Sequence, residues 1–169
     1  MQSREIPVSQ IIRFLPHVMA VFMSAVFLDS LRFKFLNLPQ TQVIFGRLDG
    51  WAATLGAEGL FAQTGLFSQY VIGAIELLAA SLLLIGIMPR YRHLQAGGAL
   101  AGLLVMTGAI SFHLFTPLGV DPNNDGAGLF LAACLNWAFA VGLLAVFRRQ
   151  QLLVLGERVL SIFAPSGKP

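Results

Sequence analysis

Long apolar runs separated by short polar clusters dominate the hydropathy pattern of this chain. Four of these runs, at about 11–33, 68–88, 95–116 and 126–147, reach the roughly 20 apolar residues that a helix needs to cross a bilayer. Helices are the expected form, because backbone amides and carbonyls cannot stay unpaired in lipid. The pattern therefore predicts an all-α integral membrane protein, with residues 1–169 forming a single four-helix transmembrane domain.

The amino-acid composition supports a lipid-facing exterior. Hydrophobic residues make up 56% of the chain and charged residues only 11%, whereas soluble proteins carry about 25% charged residues. The basic residues neither form a long run nor alternate with aromatic residues, as a groove for nucleic acid would require. We therefore expect the lipid bilayer, and no nucleic acid, as a partner.

Basic residues are distributed unevenly between the two sides of the predicted bundle. The side that holds both termini and the turn at 89–94 carries eight of them, and the opposite side carries three. The positive-inside rule then predicts cytoplasmic N- and C-termini and an external loop at 35–67. The eight are Arg4, Arg13, Arg90, Arg92, Arg148, Arg149, Arg158 and Lys168, and the three are Arg32, Lys34 and Arg47.

The 35–67 loop contains a predicted helix of its own. Ile44, Leu48, Trp51 and Leu55 follow one another at spacings of four, three and four, which places them on one apolar helical face. Two interpretations are open for this segment. It is either an amphipathic helix on the outer face of the membrane, anchored by Trp51, or a lid folded over the mouth of the bundle.

The tail after the fourth crossing also shows helical periodicity. Leu152, Leu155, Val159 and Ile162 repeat at spacings near one helical turn. This pattern predicts a C-terminal helix at the cytoplasmic interface of the membrane.

Small residues cluster at the start of the third crossing. Gly97, Gly98, Ala101 and Gly102 form a small-xxx-small surface. Such surfaces let two helix backbones approach closely in a membrane. We expect a helix–helix contact here.

Glu76 is the residue least expected from the hydropathy pattern. A carboxylate within an apolar helix costs at least a few kcal/mol unless it is paired, protonated or directed at a polar cavity. Counted at about 1.5 Å per residue from the outer helix ends, Glu76, Asp29 and His113 lie at depths that agree to within about one turn. Arg32 follows Asp29 at i,i+3, which predicts a local ion pair.

Two interpretations of these four residues are open. They form either a polar cluster that fixes helix packing or a pocket that binds a ligand or handles protons. In the pocket hypothesis Glu76 and His113 share a pocket in the outer half of the bundle, because an imidazole is a suitable partner for a buried acid, and the loop around Trp51 closes the pocket from above.

Metal and thiol chemistry have little support in the sequence. His17 and His93 are expected near one end of the helices and His113 near the other, so no three histidines share a depth. Cys134 is the only cysteine. The chain therefore has no cysteine pair for thiol–disulfide exchange.

The segment 121–126 resembles the opening of a calcium-binding loop. Ala132, however, stands where such a loop needs a bidentate glutamate, so we expect no metal there. Instead we expect a turn in which Asn124 or Asp125 caps the fourth helix.

One stretch of the chain resembles a known family. Residues 73–86, with Glu76 near their start, the short basic turn and the glycine-rich third helix ending near His113 resemble the DoxX-like family of small membrane proteins. Lys34, within Phe-Lys-Phe after the first helix, is similar to that family's pattern. The similarity extends over roughly 12–147, and Ser-Phe-His-Leu-Phe-Thr-Pro resembles a DoxX-related branch of uncharacterised bacterial proteins.

The resemblance implies a four-helix bundle in the inner membrane of a bacterium, in a family linked to quinone-coupled sulfur oxidation and oxidative stress. The first interpretation is an accessory subunit of a membrane redox or stress-response complex, with a quinone-binding pocket near Glu76 and His113. One alternative is a quinone-dependent oxidoreductase subunit that works with a soluble partner. Another is a small proton-coupled transporter, which would need a homodimer.

Overall fold

The computed structural model describes residues 8–163, with side chains described for 12–161. Over this range the regular secondary structure is entirely helical, which confirms the predicted all-α class. Arg4 and Lys168, counted in the charge asymmetry, and the side chain of Ile162 lie outside the described residues. The six helices are α1 (Val8–Phe35), α2 (Pro39–Thr54), α3 (Gln69–Ile85), α4 (Arg92–Phe115), α5 (Gly128–Gly142) and α6 (Arg149–Phe163).

Within residues 8–163, three helical segments are long and apolar enough to cross a membrane. They are Ile12–Phe35, Pro89–Phe115, which includes a short 3₁₀ turn before α4, and Gly128–Phe147, which includes a π-helical turn after α5. These segments are those of a membrane protein. The remaining predicted crossing corresponds to α3, an apolar helix of 17 residues that spans about 26 Å at 1.5 Å per residue.

Helices α1, α3, α4 and α5 share one buried core. Helix α3 packs against both α1 and α4, and α4 also packs against α5. Alanines contribute much of this core, and their small side chains allow the helices to lie close together. The core residues include Met19, Met23, Phe27, Ala79, Ala80, Leu83, Ala96, Ala99, Met106, Ala133, Ala140 and Leu143.

Helices α3 and α4 approach each other closely at a glycine. A Cβ atom added at Gly98 would lie 2.8 Å from the carbonyl oxygen of Ala79 and 2.8 Å from the amide nitrogen of Leu83. At Gly97, the nearest atom to an added Cβ is a flexible methyl of Leu82 at 3.8 Å. The small-residue surface predicted at the start of this helix therefore includes a backbone contact that only glycine permits.

Helix α2 folds over one end of the core and does not stand apart from it. Trp51 packs edge-to-face against Phe112 in the last turn of α4, with ring centroids 6.4 Å apart. Leu55 does not join the predicted apolar face, because α2 ends at Thr54, and its side chain is 66% exposed. Four buried side chains form the centre of this second cluster: Leu48, Ala52, Phe61 and Leu118.

The loop between α4 and α5 is organised by Asp121. Its carboxylate accepts hydrogen bonds from the backbone N–H groups of Asp125 at 2.8 Å and Gly126 at 3.3 Å. The first of these bonds lowers the pKa of Asp121 below its ordinary value. The predicted cap at Asn124 or Asp125 is wrong: Ala127, at φ 62°, precedes α5 and makes no side-chain cap bond.

Helix α6 lies beside the start of α4. Leu152 packs against the main core, and Leu155 is half-buried, whereas Val159 is exposed. Among the residues of the predicted stripe whose side chains are described, the first two are thus the ones that pack against the rest of the protein.

Candidate functional site

A buried ion pair joins α1 to α3 at the end of the core where α1 finishes. We call this the Glu76 end. Lys34 Nζ donates to both carboxylate oxygens of Glu76, at 3.1 Å and 2.8 Å, and Ser30 Oγ donates to one of them at 2.6 Å. The Glu76 side chain is 4% exposed and that of Lys34 is 15% exposed. Glu76 therefore faces the interior, as predicted, with its charge compensated by α1.

Helical geometry explains why these groups meet. Ser30 and Lys34 are four residues apart in α1, so they lie on one face, and Lys34 Nζ also donates to Ser30 Oγ at 3.1 Å. On α3, the first-turn residue Gln69 donates to the Lys34 carbonyl at 2.8 Å and to Asn37 Oδ1 at 2.9 Å. Ser68 caps the N-terminus of α3. These bonds set the axial position of α3 against the end of α1.

A glycine lets the two helices close around the pair. A Cβ atom added at Gly73 would lie 3.3 Å from the Phe35 ring and 3.5 Å from Lys34 Cδ. The Phe35 ring and the aliphatic part of the lysine therefore lie against the α3 backbone, one turn before Glu76. The site combines an ammonium, a carboxylate and a hydroxyl with a flat apolar surface beside them.

Asp29 and Arg32 form the ion pair expected from their spacing, with 3.0 Å between Arg32 Nη2 and Asp29 Oδ1. Both side chains are 61% exposed, so the pair lies on the surface of α1. The predicted pocket would need them beside Glu76. They lie elsewhere because each residue turns the helix by about 100°, and the face toward α3 belongs to Ser30 and Lys34.

His113 is buried in α4, but its partners differ from the predicted partner, Glu76. Its Nδ1 is hydrogen-bonded to the backbone carbonyl of Gly119, and its ring packs edge-to-face against Phe130 with centroids 5.6 Å apart. Within the described residues, no hydrogen bond joins His113 to Glu76. The imidazole instead ties the loop after α4 to α5.

Trp51 has its aromatic contact with Phe112, in the cluster formed by α2. Of the five side chains predicted to share a ligand site, only Glu76 takes part in the buried polar network at this end. Whether the others contact a ligand stays a prediction.

Lys34, the partner of Glu76, was not among the residues predicted to share its site. Lysine near a helix end is usually expected to extend its ammonium toward water. Here the four-carbon side chain reaches inward, where a buried carboxylate offsets the cost of burial. The available signal was the pairing of Ser30 and Lys34 at i,i+4 on the helix that precedes Glu76.

The fold and the site together define a small all-helical membrane protein with a buried lysine–glutamate pair at one end of its core. Comparisons with protein-family models, with curated proteins and with solved structures find no match. Among residues 8–163, no group of three or more His, Cys, Asp or Glu side chains is placed to hold a metal ion.

Proposed function

We propose that this protein is a four-crossing accessory subunit of a bacterial inner-membrane redox or stress-response complex. In this proposal the Lys34–Glu76 site binds an oxygen-bearing amphipathic molecule of the quinone class. The buried ion pair with the Ser30 hydroxyl is the observation that carries the proposal. Ionisable groups inside membrane helices more often serve a function than do groups at the surface.

The packing of α3 supports its assignment as a membrane crossing, in addition to the three longer candidate spans. At the Glu76 end Gln69 is bonded to the end of α1. At the opposite end a Cβ atom added at Gly86 would lie 2.6 Å from the amide nitrogen of Gln95 in α4. Helix α3 is therefore held against α1 at one end and against α4 at the other. Its slightly short apolar stretch is accommodated by modest bilayer thinning.

The chemistry of the site suits a quinone headgroup. The ammonium of Lys34 has three N–H donors, and a quinone carbonyl can replace one of its present acceptors. The carboxylate of Glu76 can accept a hydrogen bond from the hydroxyl of the reduced form. The exposed side of Phe35 offers an apolar surface for the ring.

An accessory role fits the residues of the chain. Cys134 is its only cysteine, so it cannot form the intramolecular dithiol of a quinone-reducing thiol enzyme. Electrons would reach a quinone held at this site from a partner protein in the same complex.

Retention of a quinone after purification tests this proposal. The full-length protein is purified in a mild detergent, and its lipid extract is analysed by mass spectrometry. We expect wild type and Asp29→Asn to retain quinone, and Lys34→Met and Glu76→Gln to lose about tenfold or more, which corresponds to about 1.4 kcal/mol of binding. Asp29→Asn is the matched control, since it disrupts an exposed ion pair on the same helix.

Three results would contradict the proposal. Wild type could retain no more quinone than an unrelated membrane protein purified in parallel. The two site variants could retain as much as wild type. Proton uptake by liposomes that contain this protein alone, abolished by Glu76→Gln, would instead support the small-transporter alternative.

A further inference from the structure

A basic cavity of about 390 Å³ opens at the end of the core opposite Glu76. We call this the Arg148 end. Residues from three parts of the chain surround it: α1, the first residue of α4, and the junction between the π-helical turn and α6. Its lining consists of Arg13, His17, Arg92 and Arg148, together with the apolar residues Ile12, Pro16 and Phe147.

Arg148 is held in a fixed position at the base of this cavity. Its Nε donates to Gln95 Oε1 at 2.9 Å, and its Nη1 donates to the Phe147 carbonyl at 3.0 Å. Gln95 is fully buried, at 0% exposure, and its Nε2 lies 3.4 Å from His17 Nδ1. Arg148 itself is only 8% exposed. Its guanidinium is therefore oriented by the protein and does not extend freely into solvent.

The positive charge of this cavity lacks a counter-charge from the part of the chain that the structure describes. The two ion pairs formed by described residues are Asp29–Arg32 and Lys34–Glu76, and neither includes an arginine of the cavity. Burial, followed by the charge of Arg92, lowers the pKa of Arg148 below its ordinary value. Placing these groups together therefore has an unfavourable electrostatic cost.

The positive-inside rule by itself does not explain this arrangement. Arginines that only set topology remain at the surface, with their guanidinium groups in water. Here one arginine is buried, bonded to a buried glutamine and grouped with two others around a concave surface. Preorganised guanidinium groups around a cavity are the usual means of binding phosphate, because each offers paired N–H donors to its oxygens.

We propose that this cavity binds a phosphate-bearing anion, either the headgroup of an anionic phospholipid or a soluble phosphate compound. The arginines bind the phosphate oxygens, and Ile12, Pro16 and Phe147 contact the less polar part of the ligand. The proposal concerns a different end of the molecule from the Lys34–Glu76 site and does not depend on the function proposed there.

Thermal unfolding of the full-length protein in detergent tests the proposal. The added compounds are phosphatidylglycerol, zwitterionic phosphatidylcholine, and inorganic phosphate compared with chloride at equal ionic strength. The test variant is Arg13→Gln with Arg92→Gln, two exposed side chains whose loss leaves the Arg148–Gln95 bond in place. The control variant is Arg90→Gln with Arg149→Gln, which removes the same charge from exposed positions outside the cavity.

We expect phosphatidylglycerol or inorganic phosphate to raise the melting temperature of wild type and of the control by about 2 °C or more. The test variant should lose at least half of that rise. A response to the lipid alone identifies a headgroup site, and a response to inorganic phosphate identifies a site for soluble phosphate. The proposal is overturned if neither compound shifts the melting temperature, if phosphatidylcholine acts equally well, or if both double variants lose the response equally.

Discussion

The carboxylate of Glu76 receives three hydrogen bonds from two side chains of α1. A buried charge of this kind is tolerated only while its partner is present, because an unpaired charge in an apolar interior has no compensation for lost hydration. Lys34 and Ser30 thus hold α1 against α3 in addition to the apolar core around Ala79 and Ala80.

Removing one member of this pair should destabilise the protein strongly. Lys34→Met is expected to lower the free energy of unfolding by about 3–5 kcal/mol, because it leaves Glu76 buried without a counter-charge. Adding Glu76→Leu should recover most of that loss. Denaturant-induced unfolding in detergent micelles measures both changes.

Arg32→Gln is the matched control for this comparison. It removes the basic member of an exposed ion pair on the same helix, where the loss should be at most about 1 kcal/mol. Equal losses for Lys34→Met and Arg32→Gln would show that burial does not strengthen the Glu76 pair.

Asp121 should give the loop before α5 a dependence on pH. Its pKa is lowered in the folded protein by the backbone N–H of Asp125. Its stabilising effect is therefore complete above the ordinary value of 3.8 and is lost as pH falls from there through the folded pKa. The difference in melting temperature between wild type and Asp121→Asn should be constant above about pH 5 and shrink below pH 3.8. A difference that grows on acidification would refute this.

At the scale of helices, the contact between α3 and α4 depends on a backbone position that has no room for a side chain. Gly98 lies against the carbonyl of Ala79 and the amide of Leu83, and neither backbone atom can move without shifting α3. The same small-residue cluster also contains Gly97, where an added Cβ would meet only a Leu82 methyl at the ordinary contact distance of 3.8 Å. Comparing alanine substitutions at Gly98 and Gly97 therefore distinguishes the effect of a tight helix–helix contact from that of helix propensity.

Gly98→Ala is expected to lower the free energy of unfolding by about 1–3 kcal/mol, as overpacking of a close contact does. Gly97→Ala should be neutral or slightly stabilising, because alanine favours helix over glycine. Unfolding of the two variants side by side in one detergent checks this. If Gly97→Ala were as harmful as Gly98→Ala, the tight contact would not be the cause.

At the scale of the whole molecule, the two ends of the core carry different chemistry. The Glu76 end has a compensated charge pair and a covering segment formed by α2, whereas the Arg148 end has a cavity rich in arginine. The Arg148 end belongs to the side of the protein that carries eight of the eleven basic residues, and the Glu76 end belongs to the side that carries three.

The orientation predicted from the sequence, with cytoplasmic termini and an external 35–67 loop, implies a specific labelling pattern in intact cells. In a Cys134→Ala background, a cysteine at Glu58 should react with an impermeant maleimide from outside. A cysteine at Gln150 should react only after the membrane is opened. Both positions are exposed, so accessibility to the reagent depends on the side of the membrane. The reverse pattern would show that both termini face outward.

Several features of this protein follow from its sequence alone. Helix content and membrane-spanning character are readable because hydropathy is summed over about 20 residues and tolerates local exceptions. The sequence also predicts that the Glu76 side chain faces the protein interior, because exposing a carboxylate to lipid is costly. The i,i+3 pair of Asp29 and Arg32 is readable for a similar reason, since both partners lie on one helix.

Contacts between helices were decided by the tertiary structure. Periodicity shows which residues share a face of one helix, but the rotation and axial position of that helix against its neighbours depend on close contacts such as the one at Gly98. That packing gave Glu76 a lysine of α1 as its partner in place of His113. It also joined Gln95 to Arg148 across 53 residues of sequence, because side-chain bonds between helices depend on distances that no periodicity within one helix encodes.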